Sequence, residues 1–81
     1  MFYVYLIQSV LHPKEHYIGF TLDLNTRLNY HNSGKSIHTN KFKPWNLVAY
    51  FAFSNIKTAE NFEKYLKTGS GRAFLKKHFL K

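Results

Sequence analysis

One stretch restricts the fold more than any other: Tyr17-Ile-Gly-Phe-Thr-Leu-Asp-Leu-Asn-Thr-Arg-Leu-Asn-Tyr-His31. It reads as a short strand ending at Gly19, followed almost at once by a helix starting near Asp23. Asp23 suits the N-cap, because its carboxylate can accept from the free N–H groups of the first turn. On that helix Leu24 and Leu28 fall on one stripe, and Arg27 and His31 on a neighbouring one, each pair four residues apart. A guanidinium that never loses its charge and a titratable ring therefore stand beside Tyr17 at the strand end, an arrangement able to hold a phosphate.

Around this stretch the chain divides by pattern. Residues 2–8 are β-branched and aromatic and predict a buried strand. Ser9 to Glu15, with Pro13, predicts a loop, and residues 16–20 a second strand completing a hairpin. The helix from about Leu24 to Asn32 stops at Ser33-Gly34, where glycine supplies a left-handed cap. Lys35 to Pro44 holds three Lys, one His and no apolar period, and reads as an exposed basic loop. Trp45 to Phe53 predicts the third strand. Thr58 is the expected N-cap of a helix from Ala59 to Lys67, in which Ala59, Phe62 and Leu66 recur at helical steps. Gly69 stops that helix. Ser70 is the expected cap of a last one, with Phe74, Leu75 and Phe79 inward and Lys76 and Lys77 outward. The order strand, strand, helix, strand, helix, helix predicts an α+β fold, a three-stranded β-sheet flanked by helices, as a single domain over residues 1–81.

A chain of 81 residues buries only about 60–65% of its unfolded surface, so its core needs large side chains. Eight Phe, six Tyr and one Trp provide them. There is no Cys, which excludes disulfides and thiolate metal sites and suits a reducing, cytoplasmic setting. Nothing reads as a signal peptide, and no apolar run approaches the ~20 residues that span a bilayer. Twelve Lys and Arg stand against four acids, for a formal net charge of +8. Such a bias favours nucleic acid as partner, because neutralised phosphates release counterions. The plainer readings are a basic surface that aids solubility or one that meets an anionic membrane.

Few residues are available for chemistry. Of the acids, Asp23 is used as a cap, Glu15 sits in a loop, and Glu60 and Glu63 lie one turn apart on the 59–67 helix. Glu63 follows Phe62 directly and lies near the core edge. A hard divalent cation commonly takes one or two carboxylates together with waters and substrate phosphate, so Glu63 is a candidate metal ligand. The plainer reading is an exposed Glu paired with Lys67 four residues on. No two of His12, His16, His31, His38 and His78 have zinc-ligand spacing on one helix. His31 stands out by sharing a face with Arg27, although an exposed His at a helix C-terminus is also a common stabilising feature.

Four short motifs occur in register: Tyr3-Val4-Tyr5, Tyr17-Ile18-Gly19, Leu24-Asn25-Thr26-Arg27-Leu28 with His31-Asn32-Ser33-Gly34, and Glu63 with Leu66-Lys67. With them the chain resembles the GIY-YIG nuclease family over essentially its whole length. It is similar in particular to the family's small stand-alone members and to the N-terminal nuclease module of the excision-repair nuclease. Tyr3 stands where the family name has its first Gly. Phe20 stands where some members carry a Lys, and Ser70 or Arg72 where many have an Asn.

The resemblance implies a metal-dependent endonuclease that hydrolyses DNA phosphodiester bonds, with DNA repair as a setting. By it, Glu63 holds one divalent cation, Mg²⁺ or Mn²⁺, which polarises the scissile phosphate. Arg27 binds that phosphate and offsets charge in the transition state. Tyr5 and Tyr17 line the site, and Tyr5 helps activate the attacking water. A phenol titrates near pH 10, so it needs a neighbouring cation or base, and His31 is that neighbour or a phosphate contact. Lys35, Lys41 and Lys43, with Arg72, are expected on the DNA backbone. The alternative is a catalytically weak or inactive nucleic-acid-binding module using the same basic face, and RNA stays open beside DNA because no residue of the chain reads a 2′-OH.

Overall fold

Three segments rich in β-branched and aromatic residues form strands in the computed structural model, which describes residues 1–80. They are β1 (Phe2–Ser9), β2 (His16–Thr21) and β3 (Trp45–Phe53), and the helices are α1 (Leu24–Asn32), α2 (Ile56–Leu66) and α3 (Gly69–His78). The sheet is antiparallel with order β2-β1-β3, so β1 is central. The predicted α+β architecture and element order are those observed.

Alternation along β1 divides the core into two layers. Val4 and Leu6 point to one face, where they join Ile18 with Ala59 and Leu66 of α2 and Leu75 of α3. Tyr5 and Ile7 point to the other, where Trp45 joins them and Tyr17, Leu24, Leu28 and Phe42 pack around. Thus α2 and α3 cover one face and α1 with the following loop covers the other. Burying each large apolar side chain contributes about 1.5–3 kcal/mol, and aromatic pairs such as Phe51–Phe62, with centroids 4.8 Å apart, add to the first layer.

The cap of α1 is as expected: the Asp23 side chain accepts from Thr26 N–H, and Gly34 beyond the helix has φ +82°. Two other caps differ. The N-cap of α2 is Asn55, not Thr58; its side chain accepts from the Thr58 N–H, so the helix begins one turn earlier. The N-cap of α3 is Thr68, not Ser70, and Gly69 is the first residue of α3 rather than only the end of α2. The turn is tight because Gly71 meets the α2 backbone: a Cβ there would overlap the Tyr65 carbonyl and Leu66 Cα.

The segment 35–44 also differs from a plain exposed loop. It folds back on α1 through a 3-10 turn at Asn40–Phe42, with Ser36 and Thr39 buried. Its three lysines are exposed as expected. No helix among the described residues is long and apolar enough to cross a membrane.

Candidate active site

The site begins with a pairing in the sheet. Tyr5 lies directly opposite Gly19, and its phenol occupies the space a side chain there would need, since a Cβ on Gly19 would overlap the Tyr5 ring and hydroxyl. Glycine at position 19 is therefore a packing requirement of Tyr5. The Tyr5 ring is 3% exposed, yet its hydroxyl is not orphaned.

That hydroxyl meets His31 Nε2 at 2.7 Å, and His31 Nδ1 meets Thr39 Oγ1 at 2.7 Å. His31 is 2% exposed and Thr39 fully buried. In one tautomer Nδ1–H donates to Thr39 and Tyr5 O–H donates to Nε2; in the other both directions reverse. Thr39 is held in turn, because the Trp45 indole N–H donates to its carbonyl at 2.9 Å. Trp45 is fixed by Asn32, whose side-chain amide pairs with both the backbone N–H and the carbonyl of Trp45. His31 is thus no exposed helix-end residue but the centre of a buried chain from β1 through α1 to the loop. Tyr17 completes the cluster, its ring half-buried and centred 5.2 Å from that of His31 and 6.5 Å from that of Tyr5.

Burial governs the protonation of this chain. It holds the Tyr5 phenol well above its ordinary value of 10.0, with Tyr17 and Glu63 adding to the rise and the Arg27 guanidinium opposing it. Burial also holds His31 below 6.5, and the charge of Arg27 acts the same way. Tyr5 is therefore a neutral phenol and His31 a neutral imidazole at neutral pH.

Arg27 lies one turn before His31 on α1, exposed, with its guanidinium 5.4 Å from the centre of the Tyr30 ring. Glu63 comes from the other layer of the fold. Its charge and that of Arg27 act on the Tyr5 phenol in opposite senses, Glu63 raising its pKa and Arg27 lowering it. The Glu63 carboxylate is 22% exposed and accepts from Lys67 Nζ at 3.1 Å, the pairing expected on the plainer reading.

No three His, Asp or Glu side chains among the described residues form a cluster able to cage a metal ion. A single half-buried carboxylate fits a hard cation that draws its other ligands from water and a substrate phosphate, and fits no all-protein site.

The predicted backbone contacts do not gather in one place. Lys35, Lys41 and Lys43 lie in the loop on the α1 side, whereas Arg72 is on α3 across the sheet. Thr39 is a site residue that sequence reasoning misses. A hydroxyl eight residues past His31 in a polar loop carries no periodicity, and only its type as a small hydroxyl donor marks it at all.

A model of the GIY-YIG catalytic domain matches residues 1–77. A solved structure similar to the chain is the solution NMR structure of the UPF0213 protein BH0048 from Bacillus halodurans. It is 30% identical, with a TM-score of 0.54, over 93% of this chain and 82% of that one. No curated protein matches.

Proposed function

The chain belongs to the GIY-YIG catalytic domain family, and from that premise we propose that it binds nucleic acid through its basic face and hydrolyses a phosphodiester bond at the Tyr5–His31 site. The observation that carries this reading is the buried Tyr5–His31–Thr39 chain beside Arg27. A surface that only binds phosphate needs exposed cations; it has no use for a phenol bonded to a buried imidazole whose other nitrogen is held by a third residue.

In this reading Arg27 grips the non-bridging oxygens of the scissile phosphate with two N–H donors. With Nδ1–H on Thr39, His31 Nε2 is a base aimed at Tyr5. A water proton passes to the Tyr5 oxygen as the Tyr5 proton passes to Nε2, so no free phenolate is formed. The hydroxide equivalent attacks phosphorus, the P–O bond to the leaving nucleic-acid oxygen breaks and that oxygen takes a proton from water, while His31 returns its proton through Tyr5 to solvent. Glu63 holds one divalent cation, which when bound supplies Lewis-acid polarisation of the phosphate and stabilises the leaving oxygen. Burial and the charge of Arg27 both disfavour the imidazolium that results, so it is a transient proton carrier.

A second reading, a binding module without turnover, is favoured by the Glu63–Lys67 pair, in which the one carboxylate near the site already has a cation. One assay separates the two. Supercoiled plasmid, single-stranded DNA and RNA are incubated with the protein and Mg²⁺ or Mn²⁺. Nicking by the parent, with at least a ~100-fold loss in Glu63→Gln and in Arg27→Ala, supports hydrolysis at this site. Binding of the same substrates with no cleavage of any of them supports the module. Equal cleavage by parent and variants contradicts the assignment of the site.

A further inference from the structure

Three segments distant in sequence bring positive charge to one groove on the side of β2 away from the basic loop. Lys14 comes from the hairpin, Lys67 from the end of α2 and Arg72 from α3; with Glu15, His16 and Tyr17 they line a groove of about 420 Å³. Among the described residues the one ion pair is Lys67–Glu63. Neither Lys14 nor Arg72 forms an ion pair with another described residue, Glu15 included.

A concave surface with an excess of positive charge, here Lys14, Lys67 and Arg72 against Glu15, focuses its field and gathers anions. The groove shares two lining residues with the surroundings of the candidate site. Tyr17 lines it and has its ring 5.2 Å from that of His31, and Lys67 lines it while holding Glu63. An anion in the groove therefore lies beside Tyr17, which packs on His31, and beside Lys67, which holds Glu63. A chain of phosphates at regular spacing meets this description, because it occupies both places at once.

We infer that the groove between β2 and the α2–α3 turn holds the backbone phosphates that flank the scissile one, so that the bound strand crosses the β2 edge at Tyr17 and runs on past Lys14 and Arg72. The inference rests on the nucleic-acid reading above. It adds a second half to the footprint, separate from Lys35, Lys41 and Lys43 on the opposite face.

The test is fluorescence anisotropy with a labelled short DNA duplex in EDTA, across a salt series. Three proteins are compared: the parent, Lys14→Gln/Arg72→Gln, and Lys35→Gln/Lys41→Gln/Lys43→Gln. Lys67 is left intact because it touches Glu63. Loss of two phosphate contacts lowers the slope of log affinity against log salt by about 1.8, so the parent loses about 12-fold more affinity than the double variant between about 50 and 200 mM salt. Circular dichroism verifies that each variant is folded. A double variant with the parent's affinity and slope, while the triple variant is weakened, overturns the groove and leaves nucleic-acid binding standing. A parent that does not bind the duplex at any salt overturns the reading of this chain as a DNA-binding protein, and the groove with it.

Discussion

A buried imidazole between two hydroxyls is stable only while both partners remain, since a lost partner leaves a desolvated polar atom with nothing to bond. Thr39 is the partner that no substrate touches, so its removal isolates the structural part of the chain. Thr39→Val keeps the shape and deletes the oxygen. It is expected to lower stability by about 1–3 kcal/mol in urea unfolding, with Thr39→Ser restoring most of it. The same buried histidine fixes the response to acid. His31 titrates below 6.5 in the folded chain. Between the two values the unfolded chain holds more protons, so stability falls as pH drops through that window and is fully present above 6.5. The unfolding midpoint of the parent is therefore lower at about pH 5.5 than at about pH 7.5, and His31→Gln flattens that difference. Of these residues, Tyr5, Tyr17, Arg27 and His31 are legible in the sequence by spacing and motif. Thr39 is not, because its partnership depends on how a loop of no fixed period folds back.

The elements are legible wherever one signal dominates. β2, α1 and β3 lie where alternation, Asp23 and the Trp45–Phe53 run put them, since apolar pattern and cap agree there. The caps of α2 and α3 are not, because each region offers competing cap residues: Ser54, Asn55 and Thr58 before α2, and Thr68 and Ser70 before α3. Packing decides between them. Placing Gly71 against the backbone of Tyr65 and Leu66 requires the chain to turn at once, and only Thr68 is early enough to accept from the Gly71 N–H. Thr68→Ala is accordingly expected to cost about 1 kcal/mol in thermal or urea unfolding, and Ser70→Ala about a few tenths at most. Equal effects of the two would return the cap to Ser70.

At the scale of the molecule, the sheet separates two layers of chemistry. The α1 layer holds the buried Tyr5–His31–Thr39 chain and Arg27, and the α2–α3 layer holds Glu63, Lys67 and Arg72. The sequence shows that these residues exist but not that they come from opposite faces, because which face of the sheet each helix covers is decided by the connections and packing and not by local pattern. The central claim is that both layers serve one phosphate. The most direct test is a crystal of the protein with Mn²⁺ and a short nucleic-acid strand made uncleavable at its phosphates, with the metal located by its anomalous scattering. The predicted result is a Mn²⁺ peak at about 2 Å from a Glu63 oxygen, sharing a phosphate that Arg27 also grips and that lies over the Tyr5 hydroxyl. A strand bound with its phosphates away from Tyr5, or a metal that ignores Glu63 while Lys67 keeps its hold on that carboxylate, would contradict it.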